Sequence, residues 1–448
     1  MNIKRFKTIV FASAVAVAAP GTAVAAVQAA PAPLAPVQVV SLPTAGSVAA
    51  IYNQYKMKPI WFRNGAPTVA ATQLIQILNR SPLDGLGSGP QLATQIQTAM
   101  QSAAGNPAGV EAAEHLMSSA WVLYVQTIKR PTNGMIYAYD VLKPQGTRTD
   151  QILLGAAAAP SLEAHVSSIA AINPIYSGIR DAAWAEMQAT GSTVPDPRVL
   201  ANLDRVRSVP GKGRFILVDS ASQRMFMYEN GVPIDSMKVI VGMPTMPTPL
   251  IASVMYYVTF NPQWNAPLHL VKGAIADKTL KGGKKYFDSM GYEVMADWTA
   301  ASATLPYESV DWKAVSQGKV TPRIRQKPGP KNFMGLYKFT FPNSQDIYLH
   351  DTSAPEKFKE SMRAVSNGCV RVEDAQRFAR WLLGREPVSP GTDPEMPVQM
   401  PAGVPIFLTY ITAQPSSGTI AYAKDVYGWD KPGAQIASSY VSPVAAAR

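Results

Sequence analysis

The one cysteine of this 448-residue chain, Cys369, is the residue whose chemistry stands out first. A lone thiol is either a buried apolar group or a reactive nucleophile. Gly368 precedes it and permits a tight turn whose successive N–H groups point the same way, which suits a developing oxyanion. Apolar residues recur at helical spacing over 372–382, which predicts a helix whose N-terminus would favour the thiolate. Cys369 is therefore the candidate nucleophile.

A histidine upstream is the candidate base for this thiol. The segment 346–350 alternates like a strand and places Tyr348 and His350 on one face. A histidine at the end of a strand is well placed to deprotonate a cysteine nucleophile.

The remaining histidines are predicted to be structural, although His269 begins a basic segment and could line a cleft. His115 and His165 lie in helical, alanine-rich sequence. No close cluster of histidine, cysteine and carboxylate residues has metal-ligand spacing, so we expect neither a metal nor another cofactor.

The elements around these residues divide the chain into two halves. Residues 47–206 show mostly helical periodicity, clearest over 109–129. From Gly213 the pattern changes to strand-like runs at 214–219, 224–228, 238–241 and 254–258, with an Asn-Gly hairpin turn at 230–231. The sequence therefore predicts an α+β chain, helical first and β-rich second.

The N-terminus predicts export. Three basic residues precede the apolar run 8–19, and an Ala-Val-Ala cleavage pattern follows at 23–25, which is typical of a signal peptide over 1–25. This region has no cysteine, so a lipoprotein anchor is not expected. The Ala/Pro-rich stretch 26–46 reads as a linker, and no later apolar run is long enough for a stable membrane span.

The net charge of +11 favours an anionic partner. Because an exported protein rarely meets nucleic acid, cell-wall polymer or a membrane surface is the expected partner. Twelve Lys/Arg against six Asp/Glu lie between Leu270 and Lys338. This basic segment is either a solvated face or an insertion beside a cleft for an acidic substrate.

The signature residues resemble a known family. His350-Asp351-Thr352 followed by the Ser-Asn-Gly-Cys-Val-Arg segment 366–371 resembles the active-site signature of L,D-transpeptidases with a YkuD-type catalytic domain. Further segments resemble the larger Gram-negative periplasmic branch, which carries a helical scaffold domain. These segments are 51–52, 58–61, 84–86, 261–267, 325–332, 341–343 and 425–428.

The resemblance implies a domain order. We expect a helical scaffold domain over 47–207 and a β-rich, mixed-sheet sandwich over 208–432. A capping insertion at about 268–325 and a flexible tail over 433–448 complete this division.

The resemblance also implies an activity, that of a periplasmic cysteine acyltransferase acting on peptidoglycan stem peptides. Cys369 would form a thioester, and carbapenems would acylate the same thiol. His350 would be the base, oriented by the backbone carbonyl of Asp351. The N–H groups of Gly368 and Cys369, with the Tyr348 hydroxyl, would hold the oxyanion.

Three further residues are expected to contact substrate: Ser366, Asn367 and Arg371. The guanidinium of Arg371 can donate two parallel hydrogen bonds to a carboxylate. A surface ion pair of Arg371 with Glu373 or Asp374 is an alternative.

Two departures from the family pattern leave alternatives open. Asn367 stands where the family carries a histidine, and the interval 172–210 is too short for the peptidoglycan-binding module that relatives insert. An L,D-carboxypeptidase or endopeptidase of the same fold, or a catalytically silent wall-binding scaffold, are the competing interpretations. The type of cross-link is left open.

Overall fold

The computed structural model describes residue 42 and residues 45–299, 302–431, 433, 434 and 436. The predicted signal peptide, nearly all of the predicted linker and most of the predicted tail lie outside these residues and stay predictions. Ala45 and Gly46, placed in the linker by the sequence, belong to the first helix.

The first half of the described chain is helical, as predicted. Its helices are α1 (Ala45–Tyr55), α2 (Val69–Arg80), α3 (Gly89–Ser102), α4 (Pro107–Ile128), α5 (Thr149–Ala157), α6 (Leu162–Ala171), α7 (Pro174–Thr190) and α8 (Pro197–Val206). Helices α1–α6 share one apolar core around the fully buried Trp61 and Trp121. The sequence pattern over 109–129 corresponds to α4.

The second half is rich in strands, as predicted. Three short strands lie in the first half, β1 (Phe62–Arg63), β2 (Ala66–Pro67) and β3 (Ile136–Tyr137). The others are β4 (Phe215–Asp219), β5 (Arg224–Glu229), β6 (Val232–Gly242), β7 (Ile251–Phe260), β8 (Trp264–Asn265), β9 (Tyr292–Met295), β10 (Thr304–Leu305), β11 (Arg323–Gln326), β12 (Tyr337–Thr340), β13 (Leu349–His350), β14 (Ala364–Ser366), β15 (Val370–Val372), β16 (Met396–Thr409), β17 (Ala413–Ser416) and β18 (Thr419–Tyr422). Four more helices, α9 (Leu268–Leu270), α10 (Ala276–Ser289), α11 (Trp312–Ser316) and α12 (Ala375–Leu383), accompany these strands.

The main sheet is mixed, and its pairings run around a ring. The order is β12-β13-β15-β6-β5-β4-β16-β7, and β7 pairs again with β12. Pairing is parallel between β13 and β15 and between β16 and β4, and antiparallel elsewhere in the ring. The predicted Asn-Gly turn joins β5 to β6, with Asn230 and Gly231 both at positive φ, as the turn type requires.

Helices α7 and α8 pack against the sheet. Tyr176 of α7 and Leu203 of α8 share a buried cluster with Phe215 of β4 and Phe407 of β16. The interval 172–210 thus consists of two helices that cover the sheet. A core therefore continues across the predicted domain boundary at 207, and the boundary itself stays a prediction.

The segment between β7 and β12 builds a small core of its own. Val271, Phe287, Trp312 and Ile324 are buried together in it. Strands β8–β11 form a separate four-stranded sheet there. Helix α10 is kinked at Gly283, whose φ of 58° is outside the helical range.

Candidate active site

Four predicted site residues lie on one face of the paired strands β13 and β15. The parallel register aligns His350 with Arg371 and Leu349 with Val370. Leu349 and Val370 are fully buried in the sheet core. Because side chains alternate along a strand, Tyr348, His350, Cys369 and Arg371 face the opposite side. All four line one cavity of about 1010 Å³.

The imidazole of His350 is neutral and oriented. Its Nδ1 lies 2.6 Å from the carbonyl oxygen of Asp351, which only accepts hydrogen bonds, so Nδ1 carries the proton. Burial lowers the pKa of His350 to about 3, and the positive charges of Arg371 and Lys338 act in the same direction. The lone pair is therefore on Nε2, which is the protonation state that a general base needs.

The thiol of Cys369 is also neutral at rest. Burial raises the pKa of Cys369 to about 11, and the negative charge of Asp346 adds to this rise. Hydrogen bonds from the Tyr348 backbone N–H and hydroxyl to the sulfur lower it in part. Burial, with the charge of the neighbouring thiolate, raises the pKa of Tyr348 well above its usual value, so its hydroxyl stays a donor.

The prediction that a helix N-terminus favours the thiolate is wrong. Helix α12 begins at Ala375, and the extended strand β15 separates it from Cys369. Three strand residues span about 10 Å, beyond the first turn in which a helix terminus acts strongly.

The turn before the nucleophile depends on Gly368 and Ser366. Gly368 has φ 111°, and a Cβ there would lie 3.1 Å from Ile347 Cδ1. Its N–H donates to Ser366 Oγ at 3.2 Å, and the Ser366 hydroxyl donates to the Cys369 carbonyl at 2.6 Å. Two predictions are thus corrected, because the Gly368 N–H is not open to an oxyanion and the Ser366 hydroxyl holds the turn. The Cys369 N–H has no acceptor within the described part of the chain.

Thr248, a residue that the sequence analysis missed, holds this turn by a hydrogen bond to Gly368. The buried Thr248 hydroxyl donates to the Gly368 carbonyl at 2.7 Å and accepts from the Gly242 N–H at 2.9 Å. The Tyr427 hydroxyl donates to the Gly242 carbonyl at 2.7 Å. Tyr427 lies in a segment that drew attention by resemblance, whereas Thr248 carries no signal in the sequence.

Arg371 has no ionic partner among the described residues. Its Nε is out of contact with solvent and lacks an acceptor, and burial lowers its pKa. The expected alternative partners are engaged elsewhere, because Glu373 pairs with Lys238 and Asp374 with Arg377. The surface-pair alternative for Arg371 is therefore wrong. Asn367, half-buried, lines the same cavity.

The segment between β7 and β12 forms the other wall of the cavity. Its contribution includes Lys278, Tyr286, Tyr292 and Trp298. Its position beside the thiol fits the capping insertion that the resemblance implies.

The remaining histidines lie apart from this cavity. His115 packs edge-on against Tyr52, with ring centroids 4.9 Å apart, and His165 contacts Trp121 in the same manner at 6.4 Å. His269 is exposed. In the described ranges, no group of three or more His, Cys, Asp or Glu side chains is arranged to hold a metal ion. No helix in them has the length and apolar character needed to cross a membrane.

Two family models match this chain. Residues 213–400 match the L,D-transpeptidase catalytic domain of the YkuD type, and residues 46–182 match the scaffold domain. The chain thus carries a YkuD-type L,D-transpeptidase catalytic domain and a scaffold domain. A Haemophilus influenzae protein whose name assigns it to the L,D-transpeptidases is 26% identical over 393 residues, which cover 86% of this chain and 78% of that protein.

A solved structure was also found, described as the Ldtfm-avibactam carbamoyl enzyme. It is 11% identical, with a TM-score of 0.23, and the match covers 44% of this chain and 49% of that one.

Proposed function

We propose that this protein is an L,D-transpeptidase that cross-links peptidoglycan stem peptides through a thioester on Cys369. The observation that carries the proposal is that the thiol, a neutral imidazole and an unpaired guanidinium line one cavity. The thiol suits nucleophilic attack, the imidazole suits proton transfer, and the guanidinium suits carboxylate binding.

In the first step, His350 takes the thiol proton as the sulfur of Cys369 attacks the carbonyl of an L-centre residue, expected to be diaminopimelate. The terminal D-Ala leaves as an amine and receives that proton. The carbonyl of Asp351 stabilises the imidazolium, because it accepts the Nδ1 proton at 2.6 Å.

The developing oxyanion needs donors that are not already engaged. The backbone N–H of Cys369 meets this condition in the described structure. The hydroxyl of Tyr348, which donates to the Cys369 sulfur at rest, would shift to the oxyanion as the sulfur is acylated. Loss of one such donor typically costs about 10²–10³ in rate. Arg371 would hold the carboxylate of the substrate, and Asn367 would contact it nearby.

In the second step, the amine of another stem attacks the thioester and forms the cross-link. If water attacks instead, the same apparatus is an L,D-carboxypeptidase or endopeptidase. The proposal places this chemistry in the periplasm, where the wall polymer lies, with roles in wall organisation and cell shape. Carbapenems would be covalent inhibitors of the same thiol.

Purified protein incubated with disaccharide-tetrapeptides tests the proposal by mass spectrometry. We expect cross-linked dimers from the wild type and none from Cys369→Ala. Trimmed monomers without dimers would establish the hydrolytic alternative, and no product together with no carbapenem adduct would establish the silent scaffold. Muropeptide analysis of a deletion strain would then identify the linkage that is missing.

A further inference from the structure

The cavity holds two buried charged atoms without partners. One is Nε of Arg371, and the other is Oδ2 of Asp346; both are shielded from solvent and lack a hydrogen-bond partner in the described structure. An unpaired buried charge is costly, so such atoms mark positions that a ligand completes. Arg371 suits the carboxylate of the substrate, as proposed above, whereas Asp346 has no role in that scheme.

The other cavity carboxylates are engaged. Glu395 pairs with Lys338 at 2.5 Å, and Asp297 accepts two hydrogen bonds from Thr299, at 2.7 and 2.6 Å. Within the described ranges no lysine or arginine forms an ion pair with Asp346. Among the described carboxylates of the cavity wall, Asp346 is thus the one with a carboxylate oxygen that no hydrogen-bond donor or cation of the described chain satisfies.

The position of Asp346 is built by its neighbours. Asn343 Oδ1 accepts from the N–H of Gln345 at 3.1 Å and of Ile347 at 3.0 Å, which fixes the backbone on both sides. Asp346 itself has φ 50°, a conformation that Asp and Asn tolerate better than most residues. Its carbonyl oxygen lies 3.8 Å from Sγ of Cys369, so this loop contacts the nucleophile directly.

A carboxylate in this place hinders the first step, because its charge raises the pKa of the thiol. Its charge suits the second step, in which a protonated amine must approach the same sulfur. Building on the proposed function, we infer that Asp346 is the specificity-determining residue that binds the ammonium group of the acceptor stem and so favours aminolysis over hydrolysis.

The step balances as follows. The ammonium docks at Asp346 and releases one proton to solvent, and the amine lone pair then forms the C–N bond with the thioester carbonyl. The C–S bond breaks, and the second N–H proton passes through His350 to Sγ. The products are an amide, the restored thiol and one solvent proton. Arg371 and Asp346 together would therefore recognise opposite charges on the two stems.

Asp346→Asn tests the inference, because asparagine keeps the shape and tolerates the positive φ. The acyl-enzyme is formed with a tetrapeptide donor, isolated, and exposed to an excess of a cationic amine acceptor. We expect the ratio of amide to hydrolysed product to fall at least tenfold relative to the wild type. With hydroxylamine, which is neutral at the assay pH, the ratio should stay within about twofold.

Two further variants make the result decisive. Asp277→Asn removes one exposed negative charge from α10, outside the cavity, and should keep the wild-type ratio with both acceptors. Asn343→Ala loosens the loop and should slow acylation as well as aminolysis, which is the pattern of a structural role. An unchanged ratio in Asp346→Asn, or an equal loss with both acceptors, would overturn the inference. Failure of the wild type to form an acyl-enzyme would instead overturn the proposed function on which it rests.

Discussion

The Thr248 hydroxyl lies 2.7 Å from the carbonyl oxygen of Gly368, the residue immediately before the nucleophile. This bond comes from the segment after β6, far from Gly368 in the chain, and it anchors the turn to the sheet. The geometry at Cys369 therefore depends on a side chain that is not among the described residues lining the cavity.

Replacing Thr248 with valine should lower kcat by about tenfold while KM changes little. Valine keeps the volume but leaves the Gly242 N–H and the Gly368 carbonyl unpaired, which costs about 1–3 kcal/mol in a buried site. Steady-state kinetics with a tetrapeptide donor measure the effect. Thr248→Ser, which keeps the hydroxyl, should recover most of kcat; equal losses in both variants would refute the positioning role.

Replacing Cys369 with alanine should abolish acylation and leave the fold intact. The chain has no other thiol, so no second site can take the acyl group. Intact-protein mass after incubation with a carbapenem is the measurement, and circular dichroism is the check on folding. A carbapenem adduct on the folded variant would show that another residue is the nucleophile.

The pH dependence of stability should carry the signature of His350. Its folded pKa of about 3 lies below the ordinary histidine pKa of about 6.5, so the unfolded state binds the proton of this imidazole more readily. The contribution of His350 to the free energy of unfolding is therefore present above pH 6.5. It is lost as the pH falls towards 3, at up to about 1.4 kcal/mol per pH unit.

Urea unfolding at several pH values measures this contribution. His350→Gln should flatten the fall in stability over that pH window, whereas His269→Gln, at an exposed position, should follow the wild type. Parallel curves for the wild type and His350→Gln would contradict the shifted pKa.

Replacing Arg371 with glutamine should lower kcat/KM for a tetrapeptide with a free carboxylate by about tenfold to a hundredfold. A hydrogen bond to a charged group is worth about 1.5–3 kcal/mol. With the C-terminal amide of the same peptide, the substitution should change kcat/KM little, because the amide lacks the negative charge that Arg371 would bind. Arg377→Gln, which disrupts a surface pair with Asp235, is the control. Equal losses on acid and amide would exclude carboxylate recognition.

Within the basic segment, Lys278 should affect substrate binding, because it lines the cavity. Lys281, Lys284 and Lys285 are not among the described cavity residues, and Lys284 pairs with Asp288 at 3.0 Å. We therefore expect less attraction of stem carboxylates from these three lysines than from Lys278. Lys278→Glu should raise KM up to about fivefold at low salt, since an exposed pair is worth about 0–1 kcal/mol. Lys281→Glu should leave KM unchanged at every salt concentration. A rise in KM equal to that of Lys278→Glu would show that substrate binding depends only on the net charge of the segment.

The sequence predicted the order of the two halves, and it singled out Cys369 and His350, which line one cavity, because hydrophobic period and signature spacing are local properties. It did not predict that the Ser366 hydroxyl accepts a hydrogen bond from the Gly368 N–H, since that bond depends on the turn conformation. The missed role of Thr248 has the same origin, as nothing near it in the chain indicates a contact with Gly368. The thiolate expectation failed because strand β15 intervenes between Cys369 and α12.

The buried cluster shared by α7, α8, β4 and β16 has a consequence for how the chain unfolds. Neither half can lose its structure without exposing apolar surface of the other, so the two halves should melt in one cooperative transition. A fragment cut at residue 213 would present the faces of Phe215 and Phe407 to water and would tend to aggregate. An insertion or deletion that separates the halves should therefore impair folding even where the residues around Cys369 are unchanged.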